Sequence, residues 1–279
     1  FVNTPALTID QEIQNRLGAD VRAIQRSANP AQGAAMFING LNSLNSNAMP
    51  LVILDGVVFD QMYDTDMLHS GYFNNLLQAI NVDDIEEVEV LKNGTAIYGA
   101  KAANGVISIK TKRCTSMATR IDVNLSAGVE LTPSTIDLMD ASEYRSYASQ
   151  MLKTSGTKLT DFKFLNTDPN YYYYNMYHNN TDWNDVVTRE AFTQNYGIAI
   201  QGGDDIAQYN LSVGFTDAKS TLKRNDMQRF NVRFNTDIIL NKWFYTRFDA
   251  SYTNVVRDLR SDGWASDQYL QALASPGAL

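Results

Sequence analysis

From Ile121 onward apolar and polar residues alternate in five successive segments, and this period of two leaves the second half of the chain few folds to choose from. Ile121, Val123, Leu125, Ala127, Val129 and Leu131 interleave with Asp122, Asn124, Ser126, Gly128 and Glu130. The pattern returns within 194–201, where Tyr196, Ile198 and Ile200 share one parity, and again in Tyr209, Leu211, Val213 and Phe215. Phe230, Val232, Phe234, Ile238 and Leu240 form a fourth set, and Phe244, Phe248, Ala250 and Tyr252 a fifth. Successive side chains of a strand point to opposite faces, so each segment has one apolar and one polar face. Two architectures fit: a soluble sandwich with one face in water, and a transmembrane barrel with one face in lipid.

Segment length and connection length favour the barrel. The segments reach about 10 residues, enough to cross a bilayer when tilted, whereas soluble strands run nearer ~5–6. Aromatic residues at or near segment ends (Phe192, Tyr196, Tyr209, Trp243 and Phe244) suit an interfacial girdle. Tight connections at 202–205 and 240–242 alternate with longer ones at 132–191 and 217–227. Outer-membrane barrels alternate short periplasmic turns with longer external loops in this way. Residues 132–191 then form the first external loop, with a helix capped by Asp140 and carrying Tyr144, Tyr147, Ala148 and Met151 on one side. Open strand edges are not tolerated in lipid, and single-chain barrels start at about eight strands, so this reading expects an incomplete barrel.

Composition removes other classes. The 279 residues carry a net charge of −8 with no cluster of Lys and Arg, which argues against nucleic acid. One Cys and two His rule out a disulfide within the chain and leave too few ligands for a structural zinc site. No run of ~18 apolar residues offers a helical span. The start, Phe1-Val2-Asn3-Thr4, has neither a basic nor an apolar leader region, so a signal peptide is expected to have been removed or to lie upstream.

Up to about Arg113 the sequence reads as a small mixed α/β unit. Ile9, Ile13 and Leu17 have helical spacing behind a candidate cap at Thr8. Residues 36–38, 51–54, 85–91 and 106–110 read as strands, the second closed by an Asp55-Gly56 turn, and 71–80 as a short helix.

These residues carry a family likeness. Pro50-Leu51-Val52-Ile53-Leu54-Asp55-Gly56-Val57 resembles the "PLYVIDGV" signature of SusC/RagA plugs, and Ile38-Asn39-Gly40-Leu41-Asn42-Ser43 their "IRGxNS" segment. Ile85 to Lys92, Ala96-Ile97-Tyr98-Gly99 and Ala103 to Lys112 resemble "IESIEVLK…AIYG…ANGVIxIxTK". Thr181-Asp182-Trp183, Gln194-Asn195-Tyr196 and Asn241-Lys242-Trp243 extend the likeness into the early barrel. It implies an α+β plug domain at 1–113, then at 114–279 the first strands and external loops of a roughly 22-stranded membrane barrel. It also implies the outer membrane of a Gram-negative bacterium of the Bacteroidota, where the barrel meets outer-membrane lipid. The function implied is import of oligosaccharides or peptides, energised by the TonB-ExbB-ExbD system and assisted by a SusD-like surface lipoprotein. A scaffold component of a larger complex, without active import, is the alternative. Asn39 stands where the family commonly has Arg, the turn from Lys92 is shorter than usual, and Lys101 replaces a frequent Arg. The signature positions Asn39, Gly40, Asp55, Gly56, Lys92, Tyr98, Gly99, Asn104 and Gly105 are read as structural.

No catalytic constellation or cofactor motif stands out. The run from Gly94 to Lys101 fails as a phosphate loop, because Ala100 sits where the lysine must be. His69 and His178 lie in no triad context. Asp83, Asp84, Glu86, Glu87 and Glu89 are acidic enough for a cation, but strand alternation assigns Glu87 and Glu89 to one solvated face and places Asp83 or Asp84 in a turn. Tyr171, Tyr172, Tyr173 and Tyr174 either stack on a ligand or partner or pack the loop onto itself, and the second reading is favoured. Internal Cys114 reads as a packed or free thiol, not a lipid anchor.

Overall fold

Helical spacing of Ile9, Ile13 and Leu17 produces α1 (Ile9–Leu17), in which Ile9 and Ile13 are fully buried and Leu17 is partly buried against the same core. Thr8 occupies the N-cap position with extended backbone, but its side chain makes no capping bond. In the computed structural model, which describes residues 6–25, 30, 32–42, 45, 47–59, 75–114, 117–260 and 267–278, the chain forms two compact units. The first comprises residues 1–130, 191–220 and 224–260, the second 131–190, 221–223 and 261–279.

The first unit begins with an N-terminal lobe. After α1, β1 (Arg22–Ile24) pairs antiparallel with β2 (Ala35–Phe37). A four-stranded sheet follows, built from β3 (Leu51–Leu54), β4 (Val57–Phe59), β5 (Ile85–Leu91) and β6 (Val106–Thr111) in the order β4-β3-β6-β5. Only β3 and β6 run parallel in this sheet. The short α2 (Thr95–Tyr98) lies between β5 and β6. Ile9, Ile13, Met36, Val52, Leu77, Val82, Ile85, Ile107 and Ile109 make one core. Burying each such side chain contributes roughly 1.5–3 kcal/mol, which is what holds so short-stranded a lobe together. The helix expected over 71–80 is a 3-10 turn at Leu76–Ala79, capped by the Asn75 side chain, with 71–74 outside the described residues. A second such turn, Val82–Asp84, is capped by Asn81. Asn competes with the backbone for local hydrogen bonds, and this favours capped turns over a continuing helix. As expected, Glu87 and Glu89 share an exposed strand face, where both reach Lys110 at 2.9 and 3.2 Å.

The alternating segments form a second, five-stranded sheet, the wall. Its strands are β7 (Arg120–Glu130), β8 (Ala191–Gly203), β9 (Ala207–Ala218), β10 (Asp226–Asn241) and β11 (Phe244–Asp258). They pair as an antiparallel meander in the order β11-β10-β9-β8-β7. At 11 to 16 residues they exceed the length needed to cross a bilayer. Connections of 204–206 and 242–243 at one end contrast with 219–225 and 131–190 at the other, the expected alternation.

Register lines the apolar residues up across the strands. Val123, Ile198, Val213, Val232 and Tyr252 form one row, and Leu125, Tyr196, Phe215 and Phe230 the next. These rows point outward: Val123 is 60 % exposed, Leu125 67 %, Ile198 49 % and Tyr252 61 %. No second sheet covers them among the described residues, so the sandwich alternative fails.

The second unit is mostly helical. Asp140 caps α3 (Ala141–Thr154) through a reciprocal capping box with Glu143, and the amides it receives hold its carboxyl below the usual range. The packed stripe differs from expectation. Tyr144, Ala148 and Leu152 are half-buried behind buried Ala141, whereas Tyr147 and Met151 are exposed. Packing of Tyr144 on Phe164 (ring centroids 6.0 Å apart) turns the helix so that the 3-4-4 stripe from Ala141 faces in. Further on lie α4 (Tyr174–Tyr177), α5 (Trp183–Val187) and α6 (Gln268–Ala274). The indole of Trp183 donates to the Pro276 carbonyl at 3.1 Å, and Thr181 N to the Gly277 carbonyl at 2.9 Å. Replacing Asp140 by Ala should cost this helix about 1 kcal/mol. Hydrogen exchange of the Ser142 and Glu143 amides, roughly fivefold faster in the variant, checks it.

Candidate functional site

The wall's other face is polar, and it is spent on holding the N-terminal lobe. Arg229 on β10 is 1 % exposed. Its guanidinium donates to the carbonyls of Gln78 (2.9 Å) and Ile80 (3.4 Å), to Asn81 Oδ1 (3.4 Å) and to Thr216 Oγ1 (3.2 Å). Arg257 on β11 reaches Gln78 Oε1 at 2.9 Å. Arg233 lies 3.8 Å from carboxylate oxygens of both Asp55 and Asp84, ion-pair range without a hydrogen bond. Burial pushes the Asp84 carboxyl up, against the pull of the Ser212 hydroxyl and of Arg233. Asn231 Nδ2 also donates to Asp84, at 3.4 Å.

A second group of contacts holds the end of β6 and the residues after it. Asn235 Nδ2 donates to Thr111 Oγ1 and to the Lys112 carbonyl, both at 3.0 Å, and Asn210 Nδ2 donates to the same carbonyl at 2.9 Å. Arg113 forks between two wall carboxylates: its Nη2 meets both oxygens of Asp249, at 2.6 and 2.7 Å, and its Nη1 reaches Asp237 at 3.2 Å. Charge-assisted hydrogen bonds of this kind are shorter and stronger than neutral ones.

Asp83 and Asp84 lie in the turn that the sequence reading expects, and there they take a role it does not show. Asp83 accepts from Asn124 Nδ2 at 2.6 Å and from Asn195 Nδ2 at 3.0 Å. Its carboxylate is consumed by wall amides, and Asp84 by Asn231 and Arg233.

The nine signature positions divide between the two ends of the lobe's sheet. At one end Asn39 Nδ2 donates to the Lys92 carbonyl (3.3 Å), and Lys92 Nζ pairs with Asp20 (2.6 Å). Asn104 bridges Asn42 and the Asn47 carbonyl, at 2.7 Å each. Gly105 has φ +93°, and an added Cβ would meet Ile38 Cδ1 at 2.7 Å. Gly40 and Gly99 also have positive φ, and Tyr98 is 38 % exposed beside Gly99. At the other end Asp55 and Gly56, φ +50° and +87°, make the two-residue turn from β3 to β4. The Asp55 carboxylate takes Thr111 N and Thr111 Oγ1, both at 2.8 Å, and so faces Arg233 as well. Among the described residues, it is at this end that a signature residue, Asp55, faces a charged side chain of the wall.

In the second unit the tyrosine run packs largely on itself. Tyr171 and Tyr172 both contact the Tyr173 ring edge-on, with Lys163 Nζ 4.7 Å over it, and Tyr174 stacks on His178 at 3.9 Å. Tyr172 is 88 % exposed and is the member left available to a partner. His69 lies outside the described residues.

Arg229, Arg233, Arg257, Asn124, Asn195, Asn210, Asn231 and Asn235 were invisible as a site in the sequence. Strand parity assigns them to the polar face, but nothing local says that a protein surface, not water, meets that face.

Residues 2–106 match the TonB-dependent Receptor Plug Domain family. The TonB-dependent receptor SusC of Bacteroides thetaiotaomicron is 34 % identical over 220 residues, covering 78 % of this chain and 20 % of SusC. TonB-dependent receptor P26 of Formosa agariphila is 26 % identical over 256 residues, covering 90 % of this chain and 24 % of P26. The chain therefore spans a fifth to a quarter of these relatives' length. In fold it is similar to the RagAB peptide importer in its "closed-closed" state, with TM-score 0.73, 23 % identity, and coverage of 94 % of this chain and 30 % of that one. The siderophore receptor PirA from Acinetobacter baumannii aligns with TM-score 0.51 at 13 % identity, covering 91 % of this chain and 34 % of PirA.

Proposed function

Because the chain belongs to the SusC/RagA family of TonB-dependent receptors of the cell outer membrane, we propose that the receptor imports oligosaccharides or peptides that are too large for open porins. One observation carries this reading. The wall turns apolar rows outward, while its polar face is filled by a separately cored lobe. A wide barrel otherwise leaves an aqueous channel, so a plug fastened to the inner wall makes sense only where passage is controlled. The plug is read as residues 1–113, ending at the Arg113 fork, and 114–279 as early barrel strands and external loops. No covalent chemistry is involved. Force from the TonB-ExbB-ExbD system displaces part of the plug, and a SusD-like lipoprotein covers the mouth. The peptide option draws on the likeness to RagAB, described as a peptide importer. Within the loop unit, exposed Tyr172 is the tyrosine best placed to touch a ligand or the lipoprotein.

Uptake of labelled oligosaccharides and peptides by cells making the receptor, with and without a protonophore, tests the proposal. Uptake that depends on the receptor and collapses with the proton gradient is expected. Receptor present in the outer membrane with no energy-dependent uptake of either class would favour the scaffold reading instead.

A further inference from the structure

Two glycines interrupt the side-chain cover of the wall's inner face. Gly197 on β8 and Gly214 on β9 are direct cross-strand partners, flanked in the same row by Asn124 and Asn231. Neither has positive φ, so turn geometry does not call for glycine here. Glycine also weakens a strand interior, by roughly 0.5–1 kcal/mol relative to alanine. At Gly214 space supplies the reason, because a Cβ there would stand 2.6 Å from Asn81 Nδ2 and 2.6 Å from Asn231 Oδ1. At Gly197 a Cβ would just come into ordinary contact with Asp83 Oδ2, at 3.4 Å, so this glycine lies directly under the same turn. By contrast Gly128, at the same parity on β7, has nothing within 4 Å of an added Cβ. Glycine in a strand commonly marks close approach of another backbone, and here the approaching segment is the Asn81–Asp84 turn.

That turn is held from all sides once inside. Asn81 Oδ1 accepts from Asp83 N at 3.3 Å and from Arg229 at 3.4 Å, which fixes the tip. Each carboxylate oxygen of Asp83 takes one wall amide, from Asn124 and from Asn195. Asp84 takes a third, from Asn231. Neither Asn81 nor Asn231 can step back from an added methyl group without giving up one of these bonds.

We propose that Gly197 and Gly214 form a slot, and that seating of the Asn81–Asp84 turn in it sets how tightly the plug shuts the lumen. These residues are positioning residues for the closed state. A wall that lacks the slot holds the plug at a greater distance and leaks.

The receptor in planar lipid bilayers, without substrate or energy source, gives the test through its resting ion conductance. That readout needs no import, so its failure is distinct from failure of the import reading. Gly214→Ala should raise the leak at least about fivefold, the order expected of an overpacked contact, while Gly128→Ala stays near wild type. Asp83→Ala, which adds no bulk, should leak as well. The two changes combined should leak less than the product of the single effects, because both act on one seat. Should Gly214→Ala fail to assemble, Asp83→Ala decides alone. A folded Gly214→Ala that leaks no more than Gly128→Ala, or an Asp83→Ala that stays tight, overturns the proposal.

Discussion

Replacing Arg229 by alanine is expected to weaken docking of the plug by about 3–5 kcal/mol, because a buried charged donor is lost from several neutral acceptors at once. Three plug acceptors each lose a donor together, the Gln78 and Ile80 carbonyls and Asn81 Oδ1, and Thr216 Oγ1 on the wall loses one as well. Hydrogen bonds to charged groups are worth ~1.5–3 kcal/mol each, but water entering the vacated space will recover part of that. The net loss corresponds to a hundredfold or more, about tenfold per 1.4 kcal/mol, in the ratio of docked to undocked plug. Hydrogen exchange checks it most directly. The amides of Leu77 to Asp84 should lose protection in the variant, while β8 and β9 of the wall keep theirs.

A methionine at position 229 separates the two parts of this effect. It refills most of the volume and still leaves the carbonyls without a donor. If cavity formation dominated, Arg229→Met would behave nearly as wild type. The bonding geometry instead expects it to lie close to Arg229→Ala. Both variants retaining full protection at Leu77 to Asp84 would show that Arg229 is a passenger in a contact made elsewhere, through the Arg113 fork or the Asp83 amides.

Much of this architecture could be read before any coordinates, and the limit has a physical origin. Strand period is local, so residues 121–252 announced their two faces, and the wall's register then placed Val123, Ile198, Val213, Val232 and Tyr252 in a single row. The cap at Asp140 was legible for the same reason, since capping acts within one turn of helix; its reciprocal bond with Glu143 was not drawn from the sequence. Arg229 was not legible. Its partners Gln78 and Ile80 lie about 150 positions earlier in sequence, and on its own strand it is merely a polar residue of the expected parity. Asp83 and Asp84 were legible as turn residues, which the 3-10 turn Val82–Asp84 bears out, but not as the acceptors of the wall's amides and of Arg233, which come from far along the chain. The stripe on α3 was misjudged, with Ala141 and Leu152 in and Tyr147 and Met151 out, because helical spacing fixes the width of a stripe but not the angle at which a neighbour such as Phe164 meets it.

The outward rows make a prediction in which the solvent sets the size of the effect. Val213 sits mid-strand on β9 within its apolar row and is 39 % exposed. If that row faced water, Val213→Arg would change stability by no more than about 0.5 kcal/mol, as most surface substitutions do. Facing hydrocarbon, the guanidinium must leave water at a depth where long side chains cannot easily reach the interface, and barrel strands lose about 2–4 kcal/mol. The receptor folded into phosphatidylcholine vesicles across a urea series measures the difference, with Val213→Leu as a control for shape that should stay near wild type. The same substitution at Trp243, which is 95 % exposed beside a short turn, should cost less, because charge near the interface is tolerated at roughly 0–1 kcal/mol. A Val213→Arg receptor that folds as stably as wild type would mean that these rows do not meet lipid, and the plug–wall reading would lose its membrane.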